Sequence, residues 1–123
     1  MAAILNFLKM ILSFFPALIN LFGFGAETVD VELYADPSSG YVWEYSCDRN
    51  DVLILSGKHF IPDSSAILSS GGGTQKYTFK EIGEGTVNIT FEYTKKDTDE
   101  VASKYIYTYN VDANGKITLL KVT

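Results

Sequence analysis

From Glu27 onward, apolar and polar residues alternate along most of the chain with the period of two that half-buried β-strands show. The alternation is clearest over residues 86–93 and 103–111, where every second residue is aromatic or β-branched. Further strand-like stretches are residues 29–33, 41–47, 52–55, 75–80 and 117–122, and Ile67-Leu68 is a brief apolar pair. About eight short strands with no amphipathic helix predict an all-β protein, an immunoglobulin-like antiparallel β-sandwich. A small β-barrel is the alternative.

Turn-forming residues separate these strands. The stretch 36–40 lies between the first two strands, and Pro37 makes it stiff because proline fixes its own φ and restricts the residue before it. Ser56-Gly57 is predicted to end the third strand, and residues 69–74, which are all serine, glycine or threonine, are predicted to form a flexible loop. Asn114-Gly115 is a strong hairpin signal before the last strand.

Residues 1–26 differ from the rest because they are almost wholly apolar, with Lys9 as their only charge. Lys9, the apolar run 10–22 and the small residues that follow have the order of a secretory signal, with cleavage favoured after Gly25. The alternatives are an uncleaved N-terminal membrane anchor and, less favoured, an apolar helix packed on the domain. We therefore predict a secreted or cell-surface domain over residues 27–123, which contacts a membrane only if the N-terminal segment is retained.

The length, charge and cysteine content of the chain limit its fold and the kinds of molecule that it can bind. The chain has 123 residues, enough for one domain with its own core, a net charge of −5 and a pI of about 4.7. No basic stripe is present, so nucleic-acid binding is not expected. Cys47 is the single cysteine, which excludes an internal disulfide.

The residues offer no catalytic or metal-binding set. Cys47 and His59 are the only cysteine and histidine, and without an evident third group to orient them a packed thiol and a surface histidine are favoured over a catalytic pair. With one cysteine and one histidine, the chain lacks the four Cys or His ligands of a structural zinc site, so zinc binding is not expected. Residues 112–115 begin like a calcium loop but lack the closing glutamate, and residues 71–73 lack the Lys-Ser/Thr of a phosphate loop. We expect no enzyme activity, no cofactor and no metal.

One motif points to a function. Asp36-Pro37-Ser38-Ser39-Gly40-Tyr41-Val42-Trp43 resembles the Asn-Pro-Thr-Thr-Gly-aromatic-x-Trp motif of the chagasin-like inhibitors of cysteine proteases. Residues 58–64, followed by Leu68 and 71–74, resemble the next segment of that family, and residues 85–93 match its following strand in pattern. The resemblance extends from about Val29 to Val111.

The resemblance implies an immunoglobulin-like sandwich with three loops at one end, which form a wedge that blocks the active-site cleft of papain-like cysteine proteases. The first loop would enter the cleft, flanked by loops at 71–74 and 94–97. The protease-binding residues implied are Asp36, Pro37, Ser38, Ser39, Gly40, Tyr41, Gly71, Gly72, Gly73, Thr74, Lys95 and Lys96.

The chain departs from the family pattern at two of these loops. Asp36 stands where the family has Asn, and Ser38 and Ser39 replace two Thr. In the third loop, where the family has Arg-Pro-Trp, residues 95–97 are Lys-Lys-Asp, so a positive charge is kept and the aromatic is absent. The resemblance predicts a reversible inhibitor of papain-like cysteine proteases. The alternative is a secreted or surface binding or adhesion module of the same fold without a protease target.

Overall fold

The computed structural model describes residues 26–63 and 71–123, and all structural statements below concern those residues. They form seven β-strands and one short 3-10 turn. The strands are β1 (Thr28–Ala35), β2 (Tyr41–Cys47), β3 (Leu53–Pro62), β4 (Gly73–Glu81), β5 (Gly85–Lys95), β6 (Val101–Val111) and β7 (Ile117–Val122), and the 3-10 turn is Pro37–Ser39. Within this part of the chain no helix is long and apolar enough to cross a membrane.

Two antiparallel sheets make up the domain. One contains three strands in the order β1-β4-β3, and the other contains four in the order β2-β5-β6-β7. Strands of both sheets contribute to one apolar core. Alternate residues of β1, β4 and β5 are buried, and they are joined from β2, β3 and β6 by Trp43, Leu53, Tyr109 and Val111. The all-β antiparallel sandwich predicted from the sequence is confirmed. The barrel alternative is wrong, since the two sheets share no paired strands.

Aromatic rings fill the centre of this core. Phe79 of β4 and Phe91 of β5 are fully buried and meet edge to face, with ring centroids 6.2 Å apart. Tyr77 is also buried, and its hydroxyl donates to the Trp43 carbonyl across the sheets at 3.2 Å. Burial raises the pKa of Tyr77 to about 12, so this hydroxyl stays neutral and serves as an internal link.

The structure changes two predicted boundaries. Ser56-Gly57 does not end a strand, because β3 continues through it to Pro62 with a β-bulge between Leu55 and Gly57. Gly73 and Thr74 do not belong to a loop, because they open β4, where Gly73 pairs with strands on both sides. The prediction for Ile67-Leu68 lies outside the described residues, as does nearly all of that for residues 1–26.

The connections between strands fall into two groups at opposite ends of the sandwich. Since all pairings are antiparallel, the connections that follow β1, β3 and β5 lie at one end, and those that follow β2, β4 and β6 lie at the other. The first group contains residues 36–40, the described residues 63, 71 and 72 of the β3–β4 connection, and residues 96–100, which we name the first, second and third loops. We call this the first-loop end and the other the opposite end.

Candidate functional site

The first loop is held by hydrogen bonds that it makes to itself. The Asp36 carboxylate accepts from the backbone N–H of Ser38 at 3.0 Å and from the Ser38 hydroxyl at 2.6 Å. The backbone N–H of Ser39 donates to the Asp36 carbonyl at 3.0 Å, and the Ser39 hydroxyl donates to the same oxygen at 2.6 Å. These bonds close one 3-10 turn whose first residue is Pro37. The Asp36 carboxylate therefore forms its hydrogen bonds with N–H and O–H groups of the same loop.

A tyrosine from the neighbouring sheet supports the loop from below. The Tyr93 hydroxyl of β5 accepts from the backbone N–H of Asp36 at 2.9 Å and lies 3.4 Å from the Ser39 hydroxyl. The N–H of Asp36 belongs to the first residue after β1, so this bond joins the two sheets at the base of the loop. A buried or half-buried backbone donor that keeps its partner avoids a cost of about 1–3 kcal/mol.

The tip of the loop is narrow and exposed. Pro37, Ser38, Ser39 and Gly40 are all exposed, and none has a side chain longer than proline's. Gly40 has a φ of 84°, in the left-handed region that favours glycine, and an added Cβ there would meet nothing within 4 Å. The tip therefore has the slim shape that a deep cleft accepts, with empty space around its last residue.

Aromatic rings form a platform beneath the loop. Trp43 is buried and its Nε1 donates to the Tyr34 carbonyl of β1 at 2.7 Å. The Tyr93 ring lies between Trp43 and Tyr41, with centroid distances of 4.8 Å and 5.4 Å. Partial burial, and then the Glu100 carboxylate that it contacts, raise the pKa of Tyr41. Trp43 therefore ties the edge of one sheet to the other directly under the first loop.

The second loop is anchored where it joins the strands. The backbone N–H of Asp63 donates to the Gly72 carbonyl at 3.2 Å, which closes the base of this connection. The Tyr34 side chain occupies the space where a Cβ on Gly72 would lie, so Gly72 allows the close approach of that ring. Gly73 is buried between two strands, whereas Gly71 is exposed. Of the four residues predicted for this flank, Gly71, Gly72 and Thr74 retain exposure and Gly73 does not.

The third loop lies beside the first. Lys95 pairs with Tyr41, and the backbone N–H of Lys96 donates to the Gly40 carbonyl at 2.9 Å. The backbone N–H of Thr98 donates to the Lys95 carbonyl at 3.1 Å, and the turn between them places Asp97 at a φ of 63°. The side chains of Lys95 and Lys96 are exposed. The structure thus brings this predicted flank into contact with the predicted insertion loop.

The arrangement does not favour catalysis. Cys47 packs against the core, whereas His59 is exposed and pairs with Lys76 on the outer face of the three-stranded sheet, so the two side chains do not form a nucleophile–base pair. Burial raises the pKa of the Cys47 thiol, which makes it less reactive. In the described ranges, no cluster of three or more His, Cys, Asp or Glu side chains could hold a metal ion.

A cleft of about 370 Å³ opens between β1 and β6, next to the aromatic platform. It is lined by Glu32, Leu33, Tyr34, Trp43, Tyr93, Ser103, Tyr105 and Tyr107. Its lining residues include Ser103 but neither Cys47 nor His59.

Sequence reasoning missed the roles of Tyr93 and Tyr34. Both were assigned only to strands, yet Tyr93 holds the first loop and Tyr34 packs against Gly72. One signal was available for Tyr93. Tyr93 lies on the inner face of its strand, just before a loop. A tyrosine hydroxyl at such a position needs a hydrogen-bond partner, and the nearest donors and acceptors are backbone groups of the adjacent loops.

Comparison with known proteins gives a consistent result. The family model described as chagasin family peptidase inhibitor I42 matches residues 25–111. The crystal structure of the cysteine protease inhibitor EhICP2 from Entamoeba histolytica is similar, with a TM-score of 0.55 at 19% identity over 66% of this chain and 73% of that chain. The solution structure of Amebosin gives a TM-score of 0.49 at 21% identity over 68% of this chain and 76% of that chain. No curated protein sequence shows a significant match.

Proposed function

Since the chain belongs to the chagasin family of peptidase inhibitors, we propose that it inhibits papain-like cysteine proteases reversibly, by inserting the first loop into the active-site cleft. Residues 71–74 and 94–97 would contact the two sides of that cleft. Family membership makes the protein an inhibitor and not an enzyme. It also disfavours the alternative of an adhesion module without a protease target.

The observation that carries this proposal is the preorganised first loop. Its serine hydroxyls and the Asp36 carboxylate bond to the loop itself, and Tyr93 fixes its base. A loop already held in its bound shape loses little conformational entropy on docking, which favours affinity. Occlusion of a cleft needs no catalytic group. The exposed tip is slim enough to approach the thiolate of a cysteine protease, and its carboxylate is already satisfied by neighbouring donors.

The charge distribution supports a flanking role for the third loop. Lys95 and Lys96 are exposed next to the tip, on a chain whose net charge is −5. These two lysines would favour acidic groups on the facing wall of the cleft, an effect that Asp97, Asp99 and Glu100 of the same loop reduce. Such exposed charges act mainly on the rate of association, so their effect should fall as salt is added.

The test is a titration of residues 27–123 against several papain-like proteases. We expect inhibition that is competitive with an active-site substrate and reversed by dilution, since no covalent bond forms. Alkylation of the protease thiol with a bulky reagent should weaken binding, because it would occupy the space that the tip enters. No inhibition of any of these enzymes at micromolar excess would overturn the proposal.

We also propose that the protein is secreted or displayed at the cell surface, on the basis of the N-terminal pattern around Lys9 and Gly25. Intact-mass measurement of the protein from its producing cell tests this. A mature chain that begins at Ala26 and is recovered from the medium supports secretion. A full-length chain found in the cytosol contradicts both export and membrane anchoring.

A further inference from the structure

The two flanks of the first loop differ in chemistry. The third loop presents only exposed charged or hydroxyl side chains over residues 95–100. The flank at the second loop presents apolar side chains instead. Tyr34 is 64% exposed and Ile61 49%. We call Tyr34 and Ile61 the second-loop flank.

Strand register places these apolar side chains beside the insertion loop. Tyr34 pairs with Thr74, and Thr74 pairs on its other side with Ile61, so all three side chains point to the same outer face of the sheet. Tyr34 is the second-last residue of β1, and the first loop begins at Asp36. The row Tyr34–Thr74–Ile61 is therefore the strand row nearest the first-loop end on this face, and its Tyr34 end lies next to the first loop.

The Tyr34 ring is held in place although most of it is exposed. Its ring and hydroxyl lie where a Cβ of Gly72 would be, in direct contact with the second loop. The backbone carbonyl of Tyr34 is fixed by the Trp43 Nε1 at 2.7 Å. An aromatic side chain that is already ordered before binding, with its outer side bare, has the properties of an interface anchor.

The charged flank is a weaker source of affinity. Lysine side chains lose rotamer freedom when they are ordered, and exposed ion pairs gain only about 0–1 kcal/mol each. Tyrosine and other aromatic residues dominate binding energy in most interfaces because they bury large area with few rotatable bonds. Affinity should therefore come from the flank that has the exposed ring.

From this asymmetry we propose that the second-loop flank is the main anchor to the protease and that Tyr34 is its specificity-determining residue. This inference rests on the proposed function. The second-loop flank would bind the wall of the protease cleft that faces it, at an apolar or aromatic patch of that wall. Proteases with a charged or strongly polar wall at that position should bind poorly, since burial of polar groups without partners is unfavourable.

The experiment compares four variants against one papain-like protease that the unmodified protein inhibits. We expect Tyr34→Ala to raise the inhibition constant at least about tenfold, and Tyr34→Phe, which keeps the ring, to change it less than about threefold. The Lys95→Ala/Lys96→Ala double variant should change it less than about threefold at physiological salt. Leu120→Ala is the control, since this residue of β7 is 55% exposed and lies outside the flank.

A photo-crosslinking residue separates direct contact from support of the second loop. Benzoylphenylalanine at position 34 keeps an aromatic ring and should form a covalent adduct with the protease, whereas the same residue at position 120 should not. An unchanged inhibition constant for Tyr34→Ala, or no adduct from position 34, would overturn the inference. If Gly40→Trp, which adds an indole to the tip of the first loop, weakens inhibition strongly in that case, the proposed function stands and only the anchor assignment fails.

Discussion

Two turns at opposite ends of the sandwich share one local design and differ in what surrounds them. In the first loop the Asp36 carboxylate accepts from the backbone N–H two residues on, at 3.0 Å. In the hairpin between β6 and β7 the Asp112 carboxylate accepts from the N–H of Asn114 at 2.9 Å. Each stretch closes with a glycine in nearly the same conformation, at φ 84° for Gly40 and 83° for Gly115. The backbone chemistry of the two turns is therefore nearly the same.

Their environments separate them. A Cβ on Gly40 would meet no atom within 4 Å, whereas one on Gly115 would lie 3.0 Å from the Glu81 carboxylate. Beneath the first loop the Tyr93 hydroxyl accepts from the Asp36 N–H, and the tip above it is exposed. Turn chemistry alone therefore does not distinguish the proposed insertion loop from the hairpin. The supported base and the empty space around the small tip do distinguish it.

The largest effect should come from adding bulk to the two tips. Gly40→Trp should raise the inhibition constant at least about 100-fold, because an indole would not fit in a narrow cleft, a loss of about 2.7 kcal/mol. Asn114→Trp, at the exposed tip of the opposite turn, should leave inhibition unchanged. The measurement is a set of inhibition constants with melting temperatures. Equal effects of the two variants would remove the distinction between the ends.

The next effect concerns support of the loop. Tyr93→Phe removes the hydroxyl that accepts from Asp36 at 2.9 Å and should weaken inhibition about tenfold, because the loop base loses its link. The matched change at the opposite end is Asn88→Ala, which removes the 2.8 Å bond to Asp48 and the 2.6 Å bond from Thr108. It should lower the free energy of unfolding by about 1–2 kcal/mol without changing inhibition. If Asn88→Ala weakened inhibition as much as Tyr93→Phe did, support of the loop would not be local.

Backbone strain should be comparable in the two turns. Gly40→Ala and Gly115→Ala each place an L side chain at a positive φ, which costs about 1–2 kcal/mol of unfolding free energy. Gly115→Ala should cost more, since the Glu81 carboxylate 3.0 Å away must move. Urea denaturation of both variants measures this. A Gly40→Ala variant as stable as the unmodified protein would show that the loop relaxes out of the left-handed conformation.

The smallest expected effect concerns the pH dependence of the unfolding free energy, to which Asp48 at the opposite end contributes. Backbone and side-chain hydrogen bonds from Asn88 hold the pKa of the Asp48 carboxyl below its ordinary value of 3.8. A depressed pKa means that this stabilisation is complete above about pH 4 and is lost as pH falls through the folded-state pKa. The stability difference between the unmodified protein and Asp48→Asn should therefore shrink between pH 5 and pH 2. A difference that stays constant over this range would contradict ionised Asp48 as the acceptor.

Part of the fold was predictable because it depends on near neighbours. The period-two alternation over residues 86–93 and 103–111 predicted β5 and β6, and the hairpin at Asn114-Gly115 was confirmed with the Gly115 N–H donating to Asp112 at 3.0 Å. The turn at residues 36–40 was predicted from proline and glycine, whose backbone preferences act locally. The family motif was visible for the same reason, since its residues are contiguous.

Other features depended on partners distant in sequence. The pattern of Ser56-Gly57 predicts a break, but pairing with β4 continues through a bulge, and the Ser56 hydroxyl donates to the Thr78 carbonyl at 3.2 Å. Glycine is typical of loops, but Gly73 pairs with β1 on one side and β3 on the other and therefore belongs to the sheet. Sheet pairing overrides local preference here because each additional ladder bond satisfies backbone groups that would otherwise be buried without partners.

The sequence by itself determined most of the strands, the turn at Asp36 and the family, because alternation, proline and glycine act through neighbouring residues. Only the tertiary structure decided that Tyr93, 57 residues from Asp36, holds the base of the first loop. It likewise decided that Tyr34 packs on Gly72 and leaves the second-loop flank bare. Such contacts depend on how two sheets stack and which strands share an end. A local pattern can indicate that the Tyr93 hydroxyl needs a partner, but it does not specify which loop supplies that partner.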